Sequence, residues 1–337
     1  MRNMTKWERV EAALQGAEVD RVPISLWKHY HLQDRAPGQL AEVTLALHRQ
    51  FDTDLIKLTP SGLYPIQDWG ATIQFGRDDD FLPLAPQPII SSADEWEALP
   101  GLDVQKGALR RELETIHHVA AGLEGSAPFM MTIFSPLCIA YKLCGDKLSG
   151  RSLVDHIRQA PRQLHAGLRV IRDVVIAYAA ACLEVGASGI FFATQMATHD
   201  LMTPEEYEEF GRAYDLPVLD SLAGKSRVTM LHVCGRNLLF DLVADYPVHV
   251  INWAACDSGT TLAQARQMTG TPLAAGLCLD LLLHGSEDEV AAQVRDAISQ
   301  AGPQGFILAP DCVIKGSTPD ANLAAARRAV EEIPATP

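Results

Sequence analysis

Basic residues are scarce in this chain. Lys and Arg total 28 against 42 Asp and Glu, for a formal net charge of −14. So acidic a surface has little with which to displace counterions from a phosphate backbone, and no basic run interleaved with aromatics compensates. Nucleic acid is therefore excluded as a partner. Long apolar runs are also absent. No uninterrupted stretch nears the roughly 18 residues of a membrane helix, so no membrane span is expected. The opening MRNMTKWERVEAAL lacks the apolar core of a signal peptide, which predicts a cytoplasmic protein. The seven cysteines are few, odd in number and scattered. That argues against a disulfide scaffold and for reduced thiols, each first taken as a small packing residue. No Gly-x-Gly-x-x-Gly follows the first apolar run, so nothing favours a dinucleotide fold.

What the chain does have is alternation. Eight short, nearly continuous apolar runs lie at 22–27, 55–59, 129–134, 189–194, 228–233, 248–253, 273–277 and 305–309. Continuous rather than alternating apolarity is the pattern of strands buried on both faces. Helical stretches at 40–50, 161–185, 204–223, 262–269, 287–301 and 319–332 lie between or after them. Thr203-Pro204 and Thr318-Pro319 each put a cap residue before a proline at a first helical position. Eight strand–helix repeats predict an α/β fold, a (β/α)₈ barrel formed as one domain by residues 1–337. An open doubly wound sheet is the competing arrangement. The Pro- and Asp-rich stretch at about 69–125 reads as an insertion after the second strand, running into a helix at 106–123.

The fifth run ends LHVCG. Residues two apart on a strand point to the same side, so His232 and Cys234 can face one point at the strand's C-terminal end, where barrels place their active sites. The eighth run ends FILAPDC and brings Cys312 to the same rim. One imidazole and two thiols form a soft three-donor set with an open fourth position, as catalytic zinc uses. The plain alternative is a satisfied rim histidine and two packing cysteines.

Other strand ends supply candidate substrate contacts. After the first come Trp27, His29 and His31; the two histidines could touch substrate, act as general acid, add metal ligands, or simply sit in solvent. Lys57 lies inside an apolar run, where a lysine needs a partner. It could bind a substrate carboxylate or phosphate, or snorkel or pair with Asp54. Tyr64, with Asp68 and Trp69, could shape the pocket. Gln195 could hydrogen-bond substrate, and His199 could lie over the mouth or be an exposed loop residue. Asn252 and Trp253 reach the rim at the end of the sixth run. Asp257, Asp280 and Asp311 could orient a metal-bound histidine. Cys256 is either a fourth soft ligand or packing, and Cys138, Cys144, Cys182 and Cys278 are assigned to packing.

Four segments carry a family resemblance: MTKWERVEAALQGAEVDRVPIS, LHVCGRN, GLCLDLLLHGSEDEVAAQVRDAI and FILAPDCVIKGSTPDANLAAARRAV. Together they are similar to the uroporphyrinogen decarboxylase superfamily from end to end, loosely in the inserted stretch. That superfamily implies two chemistries. Its decarboxylases use no metal and bind substrate carboxylates with an Arg-Gln-Ala-Gly-Arg run after the first strand. Here that place reads LWKHYHLQD, and neither arginine is present. Its methyltransferases, such as the methylcobamide:coenzyme M enzymes, hold zinc through a His-x-Cys pair and a distant Cys, which map onto His232, Cys234 and Cys312. The family often has Gly before the last cysteine, where this chain has Asp311. The resemblance thus implies a zinc-dependent methyltransferase: a methylated corrinoid, carried by a partner protein, gives its methyl group to a small-molecule thiol held as thiolate. The alternatives are a metal-independent decarboxylase or lyase and a non-catalytic corrinoid- or tetrapyrrole-binding protein.

Overall fold

A computed structural model describes residues 3–76, 78, 80, 82–145 and 151–333. Arg77, Asp79 and Phe81 of the Pro- and Asp-rich stretch lie outside the described residues.

Seven parallel strands form one sheet in chain order: β1 (Ile56–Leu58), β2 (Phe129–Phe134), β3 (Gly189–Thr194), β4 (Val228–Val233), β5 (Val250–Trp253), β6 (Leu273–Leu277) and β7 (Phe306–Pro310). Every residue in these strands is buried, as their continuous apolarity predicts. All seven fall within or against the expected runs.

The first expected strand, 22–27, is the exception. It forms no ladder, only an isolated parallel bridge from Ile24 to Leu308. The donors explain this. Pro23 has no N–H, and the Ile24 N–H is taken by the Asp54 carboxylate at 2.9 Å. What remains still ties both sheet edges. Ser25 N–H donates to the Leu308 carbonyl at 2.9 Å, and Asp54 N–H donates to the Ile24 carbonyl at 2.8 Å. Asp54 also accepts from Arg9 and Arg21, each at 2.6 Å.

Helices flank the sheet. Pro37–Phe51, Pro161–Glu184, Leu262–Met268 and Glu287–Ala301 match expectation closely. The Thr203 hydroxyl caps its helix as expected, accepting from Glu206 N–H, and Glu206 answers in a capping box, an arrangement worth about 1 kcal/mol. That helix is not continuous, however. Pro204–Tyr207 passes through a π-turn at Glu208–Arg212 before Ala213–Leu222, where Pro217 withholds a donor from the preceding turn. The last helix, Asp320–Glu332, starts one residue later than expected, with Pro319 at the cap. Between β1 and β2 lie three helices, Tyr64–Gln67, Ala93–Glu97 and Gly107–Leu123. Gly276 of β6 sits at φ +101°, and a Cβ there would lie 2.6 Å from the Ala297 Cβ, so glycine lets helix Glu287–Ala301 press against the strand. No helix among the described residues is long and apolar enough to cross a membrane.

Candidate metal centre and cavity

A cavity of about 650 Å³ opens at the C-terminal ends of the strands, and His232, Cys234 and Cys312 share its wall. His232 is the fifth residue of β4, Cys234 follows the strand end, and Cys312 lies two residues beyond β7. One ligand atom from each of the three lies within 4.8 Å of the others. The His232 Nε2 to Cys312 Sγ separation is 3.8 Å. Tetrahedral zinc with ordinary Zn–N and Zn–S bonds would set that separation at about 3.6 Å, so the donor set fits such an ion.

The imidazole is held in one tautomer. His232 and Asn252 are paired across β4 and β5. The Asn252 amide donates to the Ala274 carbonyl at 2.7 Å and the Pro310 carbonyl at 3.2 Å, which fixes its oxygen toward His232. His232 Nδ1–H therefore donates to Asn252 Oδ1 at 2.5 Å, and Nε2 keeps its lone pair for the cavity. Phe191 supports the ring by stacking at 5.2 Å between centroids. A hydrogen bond from Cys234, and then His232, holds the Cys312 thiol well below the usual thiol range; Cys234, which keeps the proton beside Cys312, is pushed up.

Trp27, His29, His31, Lys57 and Gln195 all line the cavity. Lys57 is buried, and its ammonium donates to Thr59 Oγ1 at 3.0 Å while lying 4.5 Å from the Phe191 ring centroid. Burial lowers its pKa to about 7, opposed by the charge on Cys312. It does not pair with Asp54, which belongs to Arg9 and Arg21. His31 stacks on His29 at 4.5 Å, and its Nδ1 meets the buried Asp34 carboxylate at 3.2 Å.

Two expected substrate contacts lie elsewhere. Tyr64 is buried beside Phe134 and Tyr178, and its hydroxyl donates to the Thr132 carbonyl at 2.9 Å. It follows the strand end as a loop residue should, but the short helix Tyr64–Gln67 turns its ring into the core. Asn252 is wholly buried behind His232. Asp68 caps the helix Gly107–Leu123 through Ala108 and Leu109 N–H, and His199 is an exposed loop residue. The expected reduced state of Cys256 and Cys278 is corrected as well: their sulfurs are bonded, with Cα atoms 5.8 Å apart. They are 22 residues apart in sequence, and only the adjacency of β5 and β6 brings them together.

Sequence reasoning missed several cavity residues. Helix Pro136–Leu143, capped by Ser135, carries the cavity residue Lys142 one turn beyond Cys138, which is buried in packing as expected. Both donate to Gln195 Oε1, at 3.0 and 2.8 Å. Their place just after β2 was the available signal. Asp80 and Leu82 of the Pro- and Asp-rich stretch also line the cavity, and Asp80 accepts from Ser317 N–H at 3.3 Å. Among the described lining residues Lys57, Lys142 and Lys315 face a single carboxylate, Asp80. Lysines thus outnumber carboxylates among the described lining residues.

Comparison with known proteins agrees with this architecture. Residues 5–333 match the family described as uroporphyrinogen decarboxylase (URO-D). The chain is 25% identical to methylcobamide:CoM methyltransferase MtaA of Methanosarcina barkeri, covering 98% of this chain and 99% of that protein. It is 24% identical to uroporphyrinogen decarboxylase of a Synechococcus species, covering 94% and 90%. Among solved structures, a methyltransferase from Methanosarcina mazei superposes with a TM-score of 0.83 at 23% identity, covering 98% of this chain and 99% of that one. A B12-independent methionine synthase from Shewanella superposes at 0.61 with 10% identity, over 92% and 97%. With the match running through nearly the whole chain, this protein belongs to the uroporphyrinogen decarboxylase family.

Proposed function

We propose that this protein is a zinc-dependent methyltransferase that moves a methyl group from a methylated corrinoid to a small thiol. The observation that carries this is the convergence of His232 Nε2, Cys234 Sγ and Cys312 Sγ within 4.8 Å of one another in the cavity wall. A zinc ion held there lowers the pKa of a thiol it binds and leaves the sulfur nucleophilic at neutral pH. The chain's own part is preorganisation. Asn252 presents Nε2, Phe191 backs the ring, and the depressed Cys312 thiol offers a thiolate without a large deprotonation cost. Lys57 and Lys142 place positive charge beside the donors and suit an acceptor with an anionic group. Trp27 and Phe191 supply an apolar wall that excludes water from the reacting sulfur. The relatives named for methylcobamide and CoM support the donor and acceptor classes. The proposal includes a single barrel closed by residues 22–28 between β7 and β1, with 69–125 as an insertion beside the cavity mouth. Cys234→Ala and Cys312→Ala test it: each should abolish metal content and methyl transfer together, and full turnover by a metal-free variant would contradict it.

A metal-independent decarboxylase has one observation in its favour. Three lysines on the cavity wall could pair with substrate carboxylates in place of the missing arginines. Protein purified without chelator and free of zinc would favour that reading.

A further inference from the structure

A second group of soft donors lies outside the cavity. Cys256 follows β5, Cys278 follows β6, and Asp311 follows β7, so three neighbouring strand ends deliver one side chain each. A sulfur from each cysteine and a carboxylate oxygen lie within 4.8 Å of one another. Asp311 is only 3% exposed. Its Oδ2 accepts from Cys256 N–H at 2.9 Å, while Oδ1 is buried and makes no hydrogen bond. A buried carboxylate oxygen of this kind is costly unless something compensates it. Gln293 holds the cluster from behind: Oε1 accepts from Cys278 N–H at 3.1 Å, and Nε2 lies 4.0 Å from Cys256 Sγ.

We propose that Cys256, Cys278 and Asp311 form a redox-gated second metal site, closed as a disulfide and open, once reduced, to one soft divalent cation. Two thiolates and a carboxylate are three of the four ligands zinc takes, with the chemistry zinc selects. Opening requires a small-molecule thiol as reductant. Its thiolate attacks the exposed Cys256 sulfur, the bond between the cysteines breaks, and Cys278 leaves as thiolate. A second thiol displaces Cys256 from the mixed disulfide, forming the small-molecule disulfide. Two electrons pass to the protein, and the two protons from the thiols go to the cysteines or, when the cation binds, to water. The same small-molecule disulfide reverses the reaction. Asp311 precedes Cys312, so filling or closing this site bears on the backbone that carries a cavity cysteine.

The test uses the full chain, air-oxidised or reduced with dithiothreitol and desalted without oxygen. Each form is equilibrated with zinc chloride, analysed for metal, and alkylated with iodoacetamide for peptide mapping. The reduced chain should hold one more zinc than the oxidised chain. Zinc should slow alkylation of reduced Cys256 and Cys278 about ten-fold or more, and Asp311→Asn should weaken that protection by about ten-fold. Equal zinc counts with unchanged alkylation of these two cysteines would overturn the proposal. So would a pair that stays bonded in excess dithiothreitol. The Cys234 and Cys312 peptides are read separately, so failure here and failure of the cavity site are distinguishable.

Discussion

His232 Nδ1 lies 2.5 Å from Asn252 Oδ1, and the amide of that asparagine is pinned by two backbone carbonyls. A buried asparagine with no route to the cavity thereby decides which imidazole nitrogen faces it. Asn252→Ala should lower zinc affinity by about 10–100-fold, the usual effect of losing a hydrogen bond behind a metal-binding histidine. Competition with a chromogenic chelator measures it. Asn252→Asp keeps an acceptor for Nδ1–H and should retain more affinity than the alanine variant.

Lys57 gives a pH-dependent prediction. Its folded pKa of about 7 lies below the ordinary lysine value of 10.5 expected in an unfolded chain. The unfolded state therefore binds more protons between those values, and stability contributed at this site rises with pH across that window. Lys57→Met should raise the melting temperature, by more at pH 6 than at pH 9. The same substitution should weaken binding of an anionic acceptor at pH 6, where wild-type Lys57 is charged, and change it little at pH 9. An equal effect on KM at both pH values would contradict a role for the ammonium.

His48 acts in the acid range. Its ring is buried with Nδ1 3.0 Å from Thr53 Oγ1, and burial lowers its pKa from 6.5 to about 4. Neutral His48 thus contributes stability above pH 6.5 that is lost as pH falls through 4. His48→Gln should flatten the acid limb of a stability-against-pH curve measured by urea unfolding.

Asp54 is a wholly buried carboxylate shared by Arg9, Arg21 and the Ile24 N–H. Removing it takes the carboxylate from Arg21 and the Ile24 N–H, leaves Arg9 with Asp20 alone, and frees the segment that joins the two sheet edges. Asp54→Ala should cost about 3–5 kcal/mol in denaturant unfolding. A cost below about 1 kcal/mol would show that the segment is held by its backbone bridges alone.

Particular residues show what could be read beforehand. Strand positions were legible because burial on both faces leaves continuous apolar runs such as FMMTIF and VTMLHV. His232 and Cys234 were legible because the two-residue period of a strand puts both at one end of it. The run at 22–27 was misjudged because its apolarity is that of a strand, while a side chain 30 residues away takes its donor. Tyr64 and Asn252 were placed correctly along the chain but not in direction, since a short helix and a cross-strand hydrogen bond turn them inward. The pairing of Cys256 with Cys278 depends on strand adjacency and left no local trace.

The most direct test of the central claim is the zinc content of the air-oxidised chain, with Cys256 and Cys278 bonded, measured beside methyl transfer to a small thiol. The account predicts about one zinc per chain, lost along with turnover in Cys312→Ala. A chain that holds no zinc yet transfers methyl groups at the full rate would contradict it.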